Sequence, residues 1–416
     1  MKLAYLISTG TELLHGTTPD TNSVFLAEHL QALGIKVVGK STVGDEKEQI
    51  RQAFSAGLAS ADLVISTGGL GPTFDDLTKQ VACEVMDCKL ELRADEAERI
   101  RAYFALRQRT MPDINLRQAM FPAEGAVLVN GAGTAPGMYL AKNGKLLVLL
   151  PGPPREMHPM FEQEVVPLLK RDLGNELPAI FTRTIKTIGL GESQVEERLK
   201  SLMQSSSANS VALLAVDGEV HIRLTREEEA GSEHSPELDR LAEHMIDKLG
   251  RNVYGCDDDK LISVVAGLLR QRGRTLSTAE SCTGGLLGKM ITDLPGSSDY
   301  YWGGAVTYSN QAKEVMLGVK PHTLQAFGAV SQETAREMAE GMRGQSLSDY
   351  ALAITGVAGP GGGSPGKPVG LVYIALAHPG GCEVRELRFG LGRDYIRILS
   401  AKSALDLLRR NIQFNG

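Results

Sequence analysis

Short apolar runs alternate with helical segments through the first 170 residues, and this alternation restricts the possible folds more than any other feature of the chain. Strand-like runs are predicted at residues 3–7, 35–38, 62–66 and 145–150, and helices at 22–33, 46–58, 74–86 and 97–107. This spacing predicts an α/β fold, a mostly parallel sheet covered by helices. Sites in such sheets lie beyond the carboxyl ends of the strands. Three polar or glycine-rich segments occupy that position, residues 8–16, 67–76 and 151–156.

The pattern changes near residue 173 and predicts a small α+β module. A strand at 181–188, a helix at 193–202, a hairpin across Asp217-Gly218 and a helix at 237–248 compose it. Residues 254–260, with three consecutive aspartates, are predicted to be a linker to a second α/β region that begins with a helix at 261–271. The predicted domains are therefore 1–170, 171–252 and 258–416, and the two outer regions are expected to work independently.

The charge balance and the cysteine content restrict the kinds of partner and the cellular compartment that we expect for this protein. Lys and Arg total 44 against 50 Asp and Glu, a net charge of −6, which argues against sequence-independent nucleic-acid binding. The five cysteines are odd in number and scattered, as in a protein of a reducing cytoplasm. The N-terminus turns polar too soon for a signal peptide, and no stretch approaches the ~20 apolar residues of a membrane-spanning helix. We therefore expect a cytoplasmic protein with no nucleic-acid or membrane partner.

The first candidate site of the C-terminal region is a serine between a strand and a helix. A strand-like run at 275–278 is followed by residues 279–285, Ala-Glu-Ser-Cys-Thr-Gly-Gly, and then by an apolar helix. Ser281 could be a nucleophile, with helix N-terminal amides stabilising an oxyanion. The alternative is an ordinary helix N-cap. Cys282 is a rival nucleophile, although its side chain should point away from that of Ser281 in an extended chain.

Two more segments of this region follow strand-like runs. Residues 308–313 are Tyr-Ser-Asn-Gln-Ala-Lys. Lys313, with a pKa lowered by burial, can act as the base for a serine, and Tyr308 can relay or orient a proton. The alternative is a solvated lysine at a helix start beside a packed tyrosine. Residues 354–363 contain glycines whose amides can approach a phosphate or carboxylate, or which form a flexible surface loop.

In this order, the three segments resemble the C-terminal domain of the CinA family (competence/damage-inducible protein A), whose members include nicotinamide mononucleotide deamidases. The resemblance implies that Ser281 is the nucleophile and that Lys313 and Tyr308 assist proton transfer. It also implies a set of substrate-binding residues: Thr283, Gly284, Gly285, Thr355, Gly356, Gly359, Arg393 and Arg397. A phosphate partner suits either arginine, and a plain helix-surface position is the alternative for one of them.

The N-terminal region has its own glycine-rich segment at residues 67–78, Thr-Gly-Gly-Leu-Gly-Pro-Thr-Phe-Asp-Asp-Leu-Thr. Its glycines Gly68, Gly69 and Gly71 permit close approach of the backbone to a pyrophosphate at a helix N-terminus. Four carboxylates lie in or near such segments, Glu12, Asp20, Asp75 and Asp76. Carboxylates beside a phosphate loop suit a hard divalent cation. Alternatively Asp76 is structural, because Thr73 and Asp76 satisfy a helix capping pattern.

This half resembles the N-terminal domain of the same family, which is similar to molybdopterin-binding domains and implies a three-layer α/β fold. The matching motifs are the glycine segment, residues 130–137 and residues 150–157. The resemblance adds Asn22 and Arg155 to the substrate-binding residues. One carboxylate is missing, since the family commonly has Gly-Asp-Glu where this chain has Gly10-Thr11-Glu12. The middle module takes the place of a small KH-like domain, but it lacks a G-x-x-G clamp, so we assign it no RNA role.

Over the whole chain, the resemblance implies a bifunctional hydrolase of pyridine-nucleotide salvage that forms a homodimer. The C-terminal domain would deamidate nicotinamide mononucleotide to nicotinic acid mononucleotide and ammonia without a cofactor. The N-terminal domain would hydrolyse the pyrophosphate of ADP-ribose with Mg²⁺, Mn²⁺ or Co²⁺, and with potassium as a further ion. In the alternative, which the missing carboxylate favours, the N-terminal half is a non-catalytic pterin- or nucleotide-binding module and the chain is an adaptor in competence or DNA repair.

Overall fold

A computed structural model describes residues 2–174, 177–204, 209–390 and 392–414. The chain forms two compact units, residues 1–181 with 226–235, and residues 182–225 with 236–416. Within the described residues, no helix combines the length and the apolar character needed to cross a membrane. All five cysteines are free thiols.

Helices are distributed along the whole of the described chain. Their bounds are α1 (Thr11–Leu14), α2 (Thr21–Ala32), α3 (Lys47–Ser60), α4 (Thr78–Val85), α5 (Ala94–Ala105), α6 (Pro154–Met160), α7 (Val166–Leu173), α8 (Glu192–Gln204), α9 (Pro236–Leu249), α10 (Leu261–Gln271), α11 (Leu286–Thr292), α12 (Asn310–Leu317), α13 (Pro321–Phe327), α14 (Gln332–Ser346) and α15 (Arg393–Phe414). A π-helical turn, Phe161–Val165, joins α6 to α7.

The strands fall into three main sheets. Their bounds are β1 (Lys2–Thr9), β2 (Ile35–Val43), β3 (Leu63–Thr67), β4 (Glu91–Leu92), β5 (Met120–Phe121), β6 (Ala126–Leu128), β7 (Gly137–Lys142), β8 (Lys145–Leu150), β9 (Ala179–Ile188), β10 (Asn209–Val216), β11 (Glu219–Glu228), β12 (Val253–Cys256), β13 (Leu276–Glu280), β14 (Tyr301–Val306), β15 (Tyr350–Gly356), β16 (Leu371–His378) and β17 (Gly381–Arg388).

The N-terminal sheet has the order β2-β1-β3-β8-β7-β6. Strands β2, β1, β3 and β8 are parallel, and β7 and β6 are antiparallel additions at one edge. Alternate residues of each strand face opposite layers, as the two-residue period of a strand requires. Ala4 and Leu6 of β1 pack in the cluster of α2, α6 and α7, whereas Ile7 packs in the cluster of α3 and α4. The predicted α/β architecture is confirmed, with helices on both faces of the sheet.

The middle module has a sheet of order β10-β11-β9-β12, accompanied by α8 and α9. Its predicted hairpin is confirmed, because β10 and β11 are neighbours in the sheet. Both turn residues have positive φ, 46° at Asp217 and 81° at Gly218. This conformation is the one that favours an Asp-Gly pair in a two-residue hairpin.

The predicted linker at 254–260 is wrong. It contains most of β12, which pairs antiparallel with β9. The amide of Asp257 donates to the Thr184 carbonyl at 2.7 Å, and an Asp257 carboxylate oxygen accepts from the Thr184 amide at 2.9 Å. Asp259 accepts a hydrogen bond from the Cys256 amide. The aspartates therefore close a turn against the middle sheet, a role that composition alone does not distinguish from a solvated linker.

The C-terminal sheet has the order β14-β13-β15-β16-β17. Strands β14, β13 and β15 are parallel, and β16 and β17 are antiparallel. One face packs against α10, α11 and α15, and the other packs against α13 and α14. Small side chains such as Ala351, Ala353 and Ala375 line the second face, which lets α14 approach the sheet closely. This region is therefore a second three-layer α/β domain.

Candidate functional site

The three C-terminal segments singled out in the sequence meet at one edge of the sheet. Ser281 follows the last residue of β13, and its amide donates to the Ile354 carbonyl of the neighbouring β15 at 2.9 Å. On the other side, the amide of Thr307 after β14 donates to the Glu280 carbonyl at 2.7 Å. Because β14, β13 and β15 are parallel, their carboxyl ends bring residues 281, 307 and 355 together.

Lys313 and Ser281 form a buried pair. The ammonium nitrogen Nζ of Lys313 lies 3.0 Å from Ser281 Oγ and donates to the Thr307 carbonyl at 2.7 Å. Lys313 is 1% exposed and Ser281 is also buried. Burial lowers the pKa of Lys313, because an apolar environment disfavours the charged form. The alternative of a solvated lysine is therefore wrong, and the geometry suits a nucleophile beside a base.

Local capping places Lys313. The hydroxyl of Ser309 accepts a hydrogen bond from the Ala312 amide, so Ser309 is the N-cap of α12. The helix therefore begins directly after the end of β14, and Lys313 lies in its second turn, next to the strand ends. By contrast, Ser281 caps no helix, because α11 begins at Leu286 with Gly285 as its N-cap.

Cys282 differs from Ser281 in its surroundings. Its side chain is buried in the apolar cluster that α10, α11 and α15 form with the sheet. Burial raises the pKa of the Cys282 thiol to about 11. Since the thiolate is the nucleophilic form, this environment suppresses the reactivity of Cys282 at neutral pH. The expected divergence of the two side chains agrees with this placement.

The buried carboxylate of Glu280 occupies the N-terminus of α11. Its two oxygens accept hydrogen bonds from the amides of Gly285, Leu287 and Gly288 at 2.8–3.0 Å. The expectation that helix N-terminal amides stabilise an oxyanion is therefore wrong for these three groups. Within the described residues, the amides of Cys282 and Thr283 donate to no carbonyl or carboxylate. Those two amides are the available donors beside Ser281.

The predicted substrate-binding residues Thr283, Gly284 and Gly285 form a left-handed turn. Gly284 has a φ of 60° and Gly285 a φ of 92°, a conformation that side chains oppose. The side chain of Thr283 is fully buried, and its hydroxyl has no hydrogen-bond partner in the described part of the chain. The turn thus presents backbone rather than side chains.

Both predicted arginines of α15 reach the strand ends. Arg393 donates to the Gly359 carbonyl at 2.6 Å, and its other amino group lies 3.4 Å from the Tyr308 hydroxyl. Arg397 donates twice to the Thr283 carbonyl, at 2.7 and 3.2 Å. The alternative of a plain helix-surface position is therefore wrong for Arg397, which is half-buried, whereas Arg393 is exposed. Two guanidinium groups held by carbonyls at one site can bind a phosphate with their remaining donors.

Two other predicted residues are placed less favourably for the roles expected of them. Tyr308 is 63% exposed and contacts Arg393 rather than Ser281 or Lys313. Thr355 is fully buried, and its hydroxyl donates to the Ala329 carbonyl at 2.6 Å. Tyr308 is therefore a neighbour of Arg393, and Thr355 holds the end of β15, with Gly356, against the segment before α14.

The N-terminal candidate site is a cleft of about 400 Å³ at the carboxyl ends of the strands. Six of the predicted residues line it: Glu12, Gly68, Gly69, Gly71, Asp75 and Asp76. An adjoining depression of about 280 Å³ shares Glu12 and includes Asp20 and Asn22. Arg155 is exposed and lines neither space. All of these residues lie beyond the strand ends as expected, but Arg155 does not line the cleft or the depression.

Close packing explains the paired glycines of the loop. A Cβ on Gly68 would lie 2.1 Å from the Thr9 carbonyl oxygen, and one on Gly69 would lie 2.1 Å from Thr78 Oγ1. Both glycines also have positive φ, 96° and 65°. The loop therefore tolerates no side chain at either position and exposes its backbone to the cleft.

Asp76 has a structural hydrogen bond with Thr73, as the alternative expected, but it does not cap a helix. Helix α4 begins at Thr78, later than the predicted start at residue 74, and its N-cap Leu77 provides no side-chain hydrogen bond. Asp76 instead closes the preceding turn, where its carboxylate accepts from the Thr73 amide at 2.8 Å. The Thr73 hydroxyl lies 2.5 Å from a carboxylate oxygen of both Asp75 and Asp76. This hydroxyl lowers the pKa of Asp75, which stays ionised.

The four predicted metal ligands do not converge on one point. Asp20 is the N-cap of α2, with one oxygen accepting from the Ser23 amide and the other from the Ser8 hydroxyl. Within the described residues, no group of three or more His, Cys, Asp or Glu side chains is arranged to hold a metal ion. The oxygen donors suit a hard cation in type, but their arrangement does not fit a single coordinated ion.

Sequence reasoning missed two carboxylates of the cleft, Asp45 and Glu156. Asp45 accepts hydrogen bonds from the Thr11 amide at 3.0 Å and the Thr11 hydroxyl at 2.7 Å. A carboxylate therefore lies beside the position where the expected one is missing. A longer strand prediction would have found Asp45, because β2 extends to Val43 and places Asp45 just beyond the strand end. The predicted strand stopped at residue 38. Glu156 accepts from the Asn130 amide group at 2.8 Å.

A buried lysine behind the glycine loop was also missed. Lys79 donates to the Gln118 carbonyl at 2.8 Å, and its ammonium lies 3.8 Å from the centroid of the Phe121 ring. Burial lowers the pKa of Lys79 to about 7. No feature of the sequence distinguishes this residue from a solvated lysine of an amphipathic helix.

Buried polar atoms without partners surround the same strand ends. Within the described residues, Thr9 Oγ1 and Asn22 Oδ1 have no hydrogen-bond partner, although both residues are buried. Thr9 lines both the cleft and the depression, and Asn22 lines the depression. Because an unmet buried polar group costs about 1–3 kcal/mol, its presence beside a cavity favours a polar ligand.

Comparison with known proteins accounts for nearly the whole chain. Family models match consecutively: "Probable molybdopterin binding domain" at residues 5–171, "Damage-inducible protein CinA KH domain" at 182–255 and "CinA C-terminal domain" at 258–412. The chain is similar to a CinA-like protein of Syntrophomonas wolfei, with 55% identity and 100% of both chains covered. It is also similar to a CinA-like protein of Kosmotoga olearia, with 42% identity and 98% of each chain covered.

A solved structure is similar to part of the chain. The competence/damage inducible protein CihA from Agrobacterium tumefaciens is 46% identical, and the match covers 36% of this chain and 91% of that one, with a TM-score of 0.35. Three consecutive family matches and full-length relatives with 55% and 42% identity are consistent with the motifs found at both sites. The chain therefore belongs to the CinA family, with a molybdopterin-binding-like domain, a KH-like domain and a CinA C-terminal domain in that order.

Proposed function

We propose that the C-terminal domain is an amidohydrolase that converts nicotinamide mononucleotide to nicotinic acid mononucleotide and ammonia. The observation that carries this proposal is the buried contact of 3.0 Å between Lys313 Nζ and Ser281 Oγ. A neutral lysine can accept the proton of a serine hydroxyl, and burial favours the neutral form of Lys313.

The reaction uses these residues in two stages. Ser281 Oγ attacks the amide carbon and its proton passes to Lys313, while the amides of Cys282 and Thr283 stabilise the negative oxygen. Lys313 then gives the proton to the departing ammonia, which leaves an ester on Ser281. A water molecule, deprotonated by the same lysine, attacks the ester carbon. Lys313 then returns the proton to Ser281 Oγ as the bond to the serine breaks and the carboxylate product leaves. No cofactor takes part in either stage.

The arginines of α15 support a substrate that carries a phosphate. Arg393 and Arg397 are oriented by the Gly359 and Thr283 carbonyls, on the two loops that follow β15 and β13. Each guanidinium has donors beyond those used in these bonds. An arginine pair beside the nucleophile favours a mononucleotide over a free amide, because phosphate binding aligns the reacting carbon.

Product analysis tests the proposal. Purified full-length protein is incubated with nicotinamide mononucleotide, and ammonia and nicotinic acid mononucleotide are quantified by chromatography. The wild type and the variant Ser298→Ala, at an exposed serine of the same domain, should form both products in equal amounts. Ser281→Ala should form both at least about 10³-fold more slowly. Absence of ammonia from the wild type would contradict the deamidase assignment.

We also propose that the N-terminal cleft binds the diphosphate of ADP-ribose and hydrolyses it. The observation that favours this second function is the glycine loop at Gly68 and Gly69, whose backbone lines a cleft that also contains carboxylates and unpartnered polar atoms. The Gly68 amide itself donates to the Leu150 carbonyl at 3.0 Å. The dependence on Mg²⁺, Mn²⁺ or Co²⁺, and on potassium, stays a prediction, because the predicted ligands are not grouped around one ion.

Release of AMP from ADP-ribose distinguishes an enzyme from a binding module. The full-length protein is assayed with each divalent ion, with and without potassium, and after treatment with a chelator. AMP formation that the chelator abolishes supports the hydrolase. Tight ADP-ribose binding with no AMP under any condition would favour the non-catalytic module and an adaptor role in competence or DNA repair. Light scattering on the same samples tests the predicted homodimer.

A further inference from the structure

Helix α15 contacts both the candidate deamidase site and the middle module. Its first two turns carry Arg393 and Arg397, which reach the loops after β15 and β13. Five residues further on, Lys402 forms an ion pair of 2.9 Å with Glu219 of β11. At the adjoining hairpin turn, Leu399 packs against Gly218 so closely that a Cβ there would lie 2.1 Å from its Cδ2. One helix therefore carries phosphate-binding arginines and contacts of the middle module on successive turns.

Glu219 is the centre of this contact. Its buried carboxylate accepts a hydrogen bond from the Tyr254 hydroxyl at 2.6 Å and lies 2.8 Å from His221 Nε2. These two contacts add to the ion pair with Lys402. Burial alone would raise the pKa of Glu219, but the hydrogen bonds of Tyr254, Lys402 and His221 lower it overall. The carboxylate is thus held as an anion, and Lys402 is its cationic partner on α15.

The C-terminal half of α15 makes a second contact with the module. Arg409 is 0% exposed and donates to the Arg251 carbonyl at 2.7 Å and the Val253 carbonyl at 3.1 Å. Asp406 is also buried and accepts from both Arg409 and Arg410. A buried guanidinium cannot lose these acceptors without a large penalty, so this contact opposes sliding and rotation of the helix.

The helix between the contacts has little freedom to bend or shift. Successive turns place its apolar side chains in the domain core, among them Ile396, Leu405 and Leu408. A continuous helix with a packed face moves as a unit, because interiors at this density allow few small displacements. The positions of Arg393 and Arg397 are therefore coupled to those of Lys402 and Arg409.

We propose that the middle module positions Arg393 and Arg397 for the substrate phosphate through α15, with Glu219 and Asp406 as positioning residues. This inference rests on the proposed deamidase function. Ser281 and Lys313 lie outside α15 and hold each other directly. Disturbing the module should therefore weaken substrate binding while it leaves the chemical step nearly unchanged, whereas a purely structural defect would lower the active fraction and hence kcat.

The test compares KM and kcat for nicotinamide mononucleotide in full-length Glu219→Gln, Asp406→Asn and the control Glu196→Gln. Glu196 is an exposed glutamate of α8 in the same module. We expect KM to rise about tenfold in the first two variants and kcat to stay within about twofold, the pattern of lost ground-state binding. The control should match the wild type. Equal KM values in all four proteins, or a loss of kcat at unchanged KM, would overturn the inference.

Two further measurements test the inference if Glu219→Gln fails to fold or if the wild type has no deamidase activity. If Glu219→Gln fails to fold, Lys402→Met removes the same ion pair from the helix side, and the same rise in KM is expected. Calorimetric titration of nicotinamide mononucleotide into Ser281→Ala, with and without Glu219→Gln, measures Kd without turnover. A wild type that releases no ammonia contradicts the deamidase proposal, and the positioning inference is then decided by Kd alone. A Kd that rises about tenfold supports it, and an unchanged Kd overturns it.

Discussion

Lys313 Nζ lies 3.0 Å from Ser281 Oγ, although the two residues are 32 positions apart in the chain. The contact is made by the ends of two adjacent parallel strands, β13 and β14, and by a helix that Ser309 caps immediately afterwards. A lysine with a lowered pKa beside a serine forms a nucleophile and base without histidine. This pair is the basis of the first two predictions.

Ser281→Ala should lower kcat for deamidation by roughly 10³-fold or more, the scale observed when a nucleophile of a catalytic unit is removed. Lys313→Ala should be nearly as damaging, and the double variant should be no worse than either, because the pair acts as a unit. Steady-state kinetics of the three variants measures this. Additive losses in the double variant would show that the residues act separately.

The pH dependence of kcat/KM should report the titration of Lys313. The reaction needs the neutral amine, so the rate should rise with pH and level off above the pKa of Lys313. Because burial lowers this pKa, the midpoint should lie below the ordinary lysine value of about 10.4. Lys313→Arg, which stays charged, should be inactive over the whole range. A flat wild-type profile between pH 6 and 10 would refute the role of Lys313 as base.

Cys282→Ala should retain deamidase turnover within about threefold, apart from a modest loss of stability from the small cavity it creates. Burial raises the pKa of this thiol to about 11, which keeps it in the unreactive neutral form near pH 7. Slow modification of the native protein by iodoacetamide at pH 7.5, monitored at Cys282 by mass spectrometry, checks its low reactivity. An inactive Cys282→Ala together with an active Ser281→Ala would reverse the assignment.

Asp75→Asn should abolish the cleavage of ADP-ribose while Tm changes by less than about 2 °C, because an exposed carboxylate adds little stability. Asp75 lines the cleft, and its pKa is lowered by the Thr73 hydroxyl. The matched control is Asp113→Asn, at an exposed aspartate outside the cleft. AMP release at the wild-type rate by Asp75→Asn would show that this carboxylate takes no part in hydrolysis.

A fragment of residues 257–416 should be less stable than a fragment of residues 182–416. The shorter fragment lacks Ile188 and Tyr254, which pack in the core of the C-terminal domain, and the acceptors of Arg409. Burial of two such side chains contributes about 3 kcal/mol or more. Chemical denaturation of both fragments measures the difference. Equal free energies of unfolding would show that the C-terminal domain is self-sufficient, as the linker prediction assumed.

Several parts of the fold follow from local sequence patterns. Helix α10 has the predicted bounds, and the Asp217-Gly218 turn has the predicted conformation, because each depends on neighbouring residues alone. The strand β2 was predicted too short, since its outer half alternates exposed and half-buried residues and lacks the apolar run that marks a central strand. Because of that error, Asp45 was not predicted to lie at the end of a strand.

The residues of the candidate sites were likewise predicted only where local sequence patterns determine their positions. Strand and helix patterns, with the motifs after them, were sufficient to place Ser281, Lys313 and the glycine loop at the ends of parallel strands, because the topology of an α/β sheet decides where those ends lie. They were not sufficient to show that Glu280 occupies the amides of α11, that Asp45 reaches Thr11, or that α15 connects the middle module to Arg393. Such contacts join residues distant in the chain, and burial and hydrogen bonding select among them only when the whole domain is packed.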